Sequence, residues 1–255
     1  MVETPTVSLI SVTPVKSLGL AHPRDVELTA GGVPGNRRLY LVDDDGRLYN
    51  GTRHGPLVRV RPDYDDTAGA LTLEFPDGRA VAGEVALGDA VETDFYGRPV
   101  PGRRVEGPWA PALSAYTGTP LHLVRAEQEG DGCDVHVATI VSEASCEELG
   151  RRASARVDPR RFRMLFTLAG CAPHEEDAWN GRALRIGAAV VRVAGPVPRC
   201  VVTTQDPATG ISDLETLRSI AAYRGRRDGR LVDFGVYADV EAPGLVRVGD
   251  AVAVV

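Results

Sequence analysis

Short runs of β-branched and apolar residues, each followed by a turn rich in glycine, aspartate or proline, recur along this chain of 255 residues. Residues 7–13 (VSLISVT) form one run, and residues 71–75 (LTLEF) form another that ends at Pro76-Asp77-Gly78. Short strands separated by tight turns are typical of antiparallel barrels and sandwiches. The same pattern predicts strands at 38–42, 57–61, 91–95, 161–168, 200–204 and 233–240. We therefore predict a mainly β protein with a few helices, of the α+β class.

Three segments interrupt the strand pattern and predict helices. Residues 107–116 (GPWAPALSAY) form the first. The second covers residues 143–152, and Ser145 lies three residues before a glutamate, as in a capping box. Ser212 has the same spacing to a glutamate and predicts a third helix over residues 214–223.

The polar, glycine-containing segment 126–132 (AEQEGDG) is the best candidate for a linker. It predicts two domains, residues 1–125 and residues 126–255. Barrel domains often exchange strands across such a boundary, so a strand of one part is allowed to pair within the other.

Charge and composition exclude several classes of protein. The 29 basic and 35 acidic residues give a formal net charge of −6, which argues against nucleic-acid binding because that needs a basic face. No apolar stretch approaches the roughly 20 residues that span a membrane, and MVETPTVSLI at the N-terminus lacks the features of a signal peptide. The four cysteines include no CxxC pair. We expect a cytoplasmic protein with free thiols, without nucleic-acid or membrane partners.

Two positions suggest chemistry. Cys200 lies beside Arg199 and before two threonines, and a neighbouring cation favours the thiolate, which is a nucleophile and a soft metal ligand. Lys16, the single lysine of the chain, precedes Ser17 after a proline, and an ammonium with a hydroxyl can hold a phosphate. From these residues alone, a buried structural cysteine and a solvated turn remain the alternatives.

Three segments resemble one known family. PVKS at 14–17, RLYLVD at 38–43 and PRCVVTTQDPATG at 198–210 are similar to MOSC-domain proteins with an N-terminal MOSC β-barrel domain. That family includes the mitochondrial amidoxime reducing component and its bacterial relatives. The resemblance runs from about residue 7 to residue 255. It implies a MOSC-type β-barrel joined to a smaller N-terminal β-barrel-like domain.

The resemblance also implies a cofactor and the residues that hold it. Cys200 would be the thiolate ligand of a molybdenum ion carried by a pterin dithiolene with a terminal phosphate. Five further residues would contact this molybdenum cofactor: Lys16, Ser17 and Arg38 at the phosphate, and Arg163 and Arg199 along the pterin. Soft thiolate for molybdenum, and cations with a hydroxyl for phosphate, agree with the chemistry of these side chains. Pyridoxal phosphate is not expected, because the single lysine lies in the phosphate motif.

The activity implied by the family is a two-electron reduction of N-hydroxylated or N-oxygenated small molecules. A separate electron-donor protein is expected, of the ferredoxin, flavodoxin or cytochrome b5-like kind, because nothing in the sequence resembles a flavin or iron–sulfur site. Asp134 and His136 also have family-like placement, without an assigned role.

The chain departs from the family pattern at Met164, Leu165 and Pro198. Leu165 replaces a polar asparagine, and Pro198 replaces a serine and lacks a backbone N–H. Two alternatives therefore stay open. One is a sulfur carrier or sulfurtransferase that uses a persulfide on Cys200. The other is a cofactor-free MOSC protein that acts in a biosynthetic pathway.

Overall fold

A seven-stranded and a five-stranded sheet hold most of the chain in the computed structural model, which describes residues 4–255. The strands are β1 (Thr6–Ile10), β2 (Asp25–Leu28), β3 (Leu39–Asp43), β4 (Leu48–Tyr49), β5 (Arg61–Asp65), β6 (Ala70–Glu74), β7 (Ala80–Glu84), β8 (Ala86–Phe95), β9 (Arg98–Glu106), β10 (Leu121–Ala126), β11 (Ala138–Ser142), β12 (Phe166–Ala169), β13 (Ala183–Ile186), β14 (Ala189–Pro198), β15 (Asp233–Ala242), β16 (Gly244–Arg247) and β17 (Val252–Val254). The helices are α1 (Trp109–Thr117), α2 (Glu143–Ala153) and α3 (Thr216–Arg224). The predicted mainly β fold is confirmed.

The seven-stranded sheet forms a nearly closed barrel. Its strand order is β1-β12-β11-β15-β14-β13-β17. A bridge between Thr6 and Ala251 joins the region beside β17 to the opposite edge, β1. The apolar side chains of these strands, among them Ile10, Phe166 and Val236, pack into one buried core.

The five-stranded sheet, with the order β4-β3-β10-β9-β8, has a core of its own. Leu39, Leu41 and Leu123 lie in that core, and Trp109 of α1 packs against them. The small sheet β5-β6-β7 covers the same core. The N-terminal part of the chain also pairs with strands of the C-terminal part, because β1 pairs with β12 and β2 pairs with β16. The boundary that we predict near residue 126 coincides with the end of β10 and stays a prediction.

Three predicted strands are at least partly turns. Residues 57–61 lie mostly in the 3-10 helix Gly55–Arg59, which has a proline in its first turn. Residues 161–168 open with the end of a 3-10 helix, Pro159–Phe162, and become extended only at β12. Residues 201–204 also form a 3-10 helix, although their β-branched composition is typical of a strand. The threonine hydroxyls there donate to carbonyls three residues earlier, which stabilises the turn instead.

Both predicted capping boxes are wrong in detail. Helix α2 is capped by Ser142, whose Oγ accepts a hydrogen bond from the Ser145 N–H at 3.1 Å. Helix α3 begins at Thr216, and the Ser212 hydroxyl instead contacts Thr204 Oγ1 at 3.0 Å. Within the described residues, no helix is long and apolar enough to cross a membrane.

Candidate functional site

One cleft collects residues from both halves of the chain. Its walls are formed by Lys16 and Ser17, by the loop around residues 50–52, by residues 161–164 and by residues 197–203. The empty space, including its open mouth, is about 890 Å³.

Cys200 lies at the mouth of this cleft. It follows the last strand residue, Pro198, by two positions and caps the 3-10 helix Val201–Thr204. Its side chain is exposed, whereas Cys133 and Cys146 are buried and Cys171 is half-buried. Cys200 is therefore the accessible thiol, as a metal ligand or nucleophile must be.

Lys16 is buried beneath the cleft and pairs with Asp134. Its Nζ donates to Asp134 Oδ1 at 2.6 Å and to the Gly132 carbonyl at 3.0 Å. Burial lowers the pKa of Lys16, although the Asp134 carboxylate opposes the shift. Burial would raise the pKa of Asp134, but the charges of Lys16 and Arg37 outweigh it and lower that pKa to about 2. Asp134 is therefore ionised at neutral pH, and its negative charge compensates the positive charge of Lys16.

Arg163 and Arg199 carry two of the positive charges in the wall. Arg163 Nη2 donates to the Leu18 carbonyl at 2.6 Å, and Arg199 Nε donates to the Phe234 carbonyl at 2.7 Å. Burial lowers the pKa of Arg163 to about 9 and that of Arg199 to about 10. Both residues are half-buried in the wall of the cleft. Neither has a carboxylate within salt-bridge distance in the described part of the chain.

Arg37 lines the cleft, and Arg38 does not. Arg37 Nη2 donates to the Arg163 carbonyl at 2.9 Å. Arg38 is buried elsewhere, where its Nη2 donates to the Glu127 carbonyl at 3.2 Å and its Nε lies 3.7 Å from Glu129. The predicted phosphate contact of Arg38 therefore lies one residue away from the arginine that faces the cleft.

Left-handed backbone is concentrated at the cleft. Among the described residues, seven non-glycine residues have a positive φ, and four of them line the cleft: Ser17, Arg37, Tyr96 and Arg163. Their φ angles are +75°, +53°, +58° and +51°. Such conformations cost free energy and are concentrated at functional sites. Sequence reasoning missed Arg37 and Tyr96, because nothing local to either residue indicates this conformation.

The loops on the two sides of the cleft are tied together. Ser17 Oγ accepts a hydrogen bond from the Gly51 N–H at 3.1 Å, and Gln205 Nε2 donates to the Gly51 carbonyl at 2.8 Å. Gly55 and Gly210 pack backbone to backbone, and a Cβ on either one would overlap the other. The turn after Cys200 is thus fixed against the N-terminal part of the chain.

The three departures from the family pattern have different positions. Pro198 and Met164 line the cleft, and Met164 Sδ contacts Arg199 Nη2. Leu165 is 3% exposed and packs in the barrel core, while its N–H donates to Thr139 Oγ1 at 2.8 Å. The leucine side chain therefore belongs to the core and does not line the cleft.

The comparisons with known proteins match both halves of the chain. The MOSC domain matches residues 128–253, and the MOSC N-terminal beta barrel domain matches residues 4–106. Mitochondrial amidoxime reducing component 2 of Homo sapiens is 37% identical over an alignment of 280 positions, which covers 97% of this chain and 82% of that protein. Mitochondrial amidoxime-reducing component 1 of Mus musculus is 40% identical over an alignment of 120 positions, which covers 44% of this chain and 35% of that protein.

A further relative has a different name. Molybdenum cofactor sulfurase of Caenorhabditis briggsae is 26% identical over an alignment of 259 positions, which covers 97% of this chain. The chain spans 36% of the length of that protein.

Proposed function

This chain belongs to the MOSC family, with a MOSC domain that follows a MOSC N-terminal β-barrel domain in the sequence, and on that premise we propose that it is a molybdenum-cofactor-binding oxidoreductase. Its substrates would be N-hydroxylated or N-oxygenated small molecules, and Cys200 would be the thiolate ligand of the metal. Relatives named amidoxime-reducing components support the reductive reaction. The relative named molybdenum cofactor sulfurase supports the link to this cofactor.

One observation carries the proposal: the cleft brings an exposed thiol together with guanidinium groups that have no carboxylate within salt-bridge distance among residues 4–255. The thiol is that of Cys200, and the guanidinium groups belong to Arg37, Arg163 and Arg199. A thiolate suits molybdenum, and cations without a carboxylate partner suit an anionic cofactor. Cations that cluster in one cleft of a protein with a net charge of −6 favour the binding of an anion at that cleft.

The donor set also fits a metal that arrives with ligands of its own. The described residues contain no group of three or more His, Cys, Asp or Glu side chains that could hold a metal ion. A metal at Cys200 would therefore need further ligands from the cofactor, and a pterin dithiolene supplies two sulfur atoms. When bound, this cofactor would supply the two-electron redox chemistry.

The residues of the chain would then hold and orient the cofactor. Lys16 and Ser17 would contact its phosphate, and Arg163 and Arg199 would line the pterin. Arg38 is the predicted phosphate contact, and Arg37, which lines the cleft where Arg38 does not, would be a further cation for the cofactor. Pyridoxal phosphate fits poorly, because the single lysine amine is already hydrogen-bonded to a carboxylate and a carbonyl.

A separate protein would supply the electrons, of the ferredoxin, flavodoxin or cytochrome b5-like kind. The side chains of the described region form no cluster that could ligate an iron–sulfur centre. The cofactor site would therefore receive electrons from outside the chain.

A turnover experiment tests the proposed reaction. Protein purified from a host that makes the molybdenum cofactor is given a reduced viologen dye and an aryl amidoxime, and amidine formation is measured. We expect turnover by the wild type, turnover at background in Cys200→Ala, and unchanged turnover in the control Cys171→Ala. An inactive wild type that contains molybdenum, or an active Cys200→Ala variant, would contradict the proposal.

Sulfur transfer is a second candidate, favoured by the exposure of Cys200 and by the sulfurase relative. Cys200 would accept one sulfur atom from a cysteine desulfurase and pass it from the persulfide to an acceptor. Mass spectrometry after incubation with cysteine and a desulfurase distinguishes this function. A gain of one sulfur on Cys200, in protein that takes up no molybdenum, would favour it.

A cofactor-free MOSC protein in a biosynthetic pathway is the third candidate. Pro198 and Met164 favour it, because both line the cleft where the family pattern has other residues. The buried position of Leu165 argues against it, since that substitution leaves the wall of the cleft unchanged. Protein that folds normally but takes up neither pterin nor molybdenum would support this candidate.

A further inference from the structure

His136 is a cleft residue that the proposed cofactor contacts leave without a role. It lies two residues before β11, and its Nδ1 is 2.9 Å from both Asp239 Oδ1 and Asp239 Oδ2. The register of the barrel explains this contact, because Ala138 of β11 pairs with Ala238 of β15. The ring also packs at 5.1 Å from that of Tyr237, which fixes its orientation.

The contact with Asp239 determines which ring nitrogen carries hydrogen. An ionised carboxylate only accepts hydrogen bonds, so Nδ1 of His136 carries the proton that is donated to Asp239. The other nitrogen, Nε2, has no hydrogen-bond partner among the described residues. Histidines held by a carboxylate in this way have a fixed tautomer and present the second nitrogen to a ligand.

The proposed reaction requires a proton donor in the cleft. Reduction of an N-hydroxyl group consumes two electrons and two protons, breaks the N–O bond and releases the oxygen as water. We propose that His136, positioned by Asp239, donates these protons to the substrate, an inference that rests on the proposed reductase function. The separate electron-donor protein and the cofactor of the proposed function would supply the two electrons.

His136 would act in both its protonated and its neutral form. The His136 imidazolium gives its Nε2 proton to the hydroxyl oxygen as the N–O bond breaks, and becomes neutral. The neutral ring takes a proton from solvent, which it reaches because its side chain is 26% exposed. It then gives this second proton to the substrate nitrogen. The Nδ1 proton stays with the pair throughout, and Asp239 stabilises the imidazolium.

Three other titratable groups that line the cleft, Asp134, Tyr237 and Arg199, are poor candidates for this role. Asp134 is paired with Lys16, and its pKa of about 2 keeps it ionised. Burial raises the pKa of Tyr237, so its hydroxyl holds its proton. Arg199 is a guanidinium, which does not exchange its charge near neutral pH. Histidine is the side chain type that does so.

The test compares His136→Gln with a matched control. His122 forms a similar pair, with its Nε2 3.0 Å from Asp44 Oδ1, but it does not line the cleft. We expect His136→Gln to lower amidoxime turnover by about 10²–10⁴-fold, the contribution of a general acid. Its molybdenum content should equal that of the wild type, and added imidazole should restore part of the turnover. His122→Gln should behave as the wild type.

A second readout does not depend on the loaded enzyme. In cofactor-free protein labelled with ¹⁵N-histidine, NMR should show the His136 proton on Nδ1, and Asp239→Asn should change that tautomer. An aryl amidoxime should shift the Nε2 resonance of His136 and leave His122 unchanged.

The outcomes separate this inference from the function on which it rests. A wild type that holds no molybdenum and shows no turnover would contradict both the proposed function and the role of His136. A wild type that turns over, beside a His136→Gln variant with equal turnover and equal molybdenum, removes only the role of His136. The role of His136 would also be contradicted if imidazole failed to restore turnover in His136→Gln and the amidoxime left the Nε2 resonance of His136 unchanged.

Discussion

Lys16 Nζ and Asp134 Oδ1 lie 2.6 Å apart and join the first loop of the chain to the segment before β11. The lysine side chain is 8% exposed, whereas that of the aspartate is 41% exposed. The pair therefore neutralises the buried lysine at the edge of the cleft. It also leaves donor capacity on the ammonium, which has three N–H groups and uses two.

Lys16→Ala should lower cofactor occupancy. We expect an affinity loss of about tenfold to a hundredfold, since one charge-assisted contact is worth about 1.5–3 kcal/mol and ~1.4 kcal/mol is tenfold. The protein should remain folded, because Asp134 is open enough to be hydrated. Molybdenum and pterin content per protein measures the effect, and Arg160→Ala, an exposed arginine outside the cleft, is the control. Unchanged occupancy in Lys16→Ala would show that the lysine is only structural.

The pair also gives a pH dependence. The pKa of Asp134 is below its ordinary value, so the stabilisation is present above the unfolded pKa, about 4, and is lost as the pH falls towards 2. In Lys16→Met the pKa of Asp134 should rise, because its main cationic partner is gone. Carboxyl ¹³C NMR across pH 2–6 measures this change. An Asp134 titration that is the same in both proteins would contradict the ion pair.

Gly55→Ala should destabilise the protein and loosen the turn after Cys200. The new Cβ would overlap the Gly210 carbonyl oxygen, which belongs to rigid backbone. We expect a loss of about 1–3 kcal/mol, the usual cost of overpacking, and a fall in Tm of about 2–4 °C per kcal/mol for a chain of this size. The control is Gly51→Ala, whose Cβ would meet Val202 at an ordinary 3.5 Å. Equal melting temperatures for the two variants would refute the close packing.

Arg163→Asn separates the charge of this residue from its backbone conformation. Asparagine tolerates the left-handed region that Arg163 occupies at φ +51°, so the variant should fold. Inorganic phosphate should raise the Tm of the wild type, and Arg163→Asn should weaken phosphate binding by about tenfold, or ~1.4 kcal/mol. Thermal shift against phosphate concentration measures this. Equal stabilisation of both proteins by phosphate would argue against an anion contact at Arg163.

The sequence predicts the strands at 7–13, 38–42, 71–75, 91–95 and 233–240, because turn residues and alternation are local signals. It fails at residues 57–61 and 201–204, which lie mostly or wholly in 3-10 helices. At 201–204 the threonine hydroxyls stabilise the turn, although the composition is β-branched. The family pattern points to Arg38, whereas Arg37, whose backbone is left-handed, lines the cleft. The Arg37 side chain donates to the Arg163 carbonyl, 126 residues away, and no local pattern indicates such a contact.

Five of the six predicted site residues line one cleft: Lys16, Ser17, Arg163, Arg199 and Cys200. The segments that carry the family resemblance place them there. His136 and Asp239 could not be paired from the sequence, because their contact depends on the register between β11 and β15.

The most direct test of molybdenum binding is the molar ratio of molybdenum to protein, measured by elemental analysis of wild type and Cys200→Ala from the same cofactor-producing host. The control Cys171→Ala removes a half-buried thiol away from the cleft. We predict a ratio near one molybdenum per chain for the wild type and the control, and a ratio at background for Cys200→Ala. Equal molybdenum in the wild type and Cys200→Ala, or none in the wild type, would contradict the proposed role of Cys200.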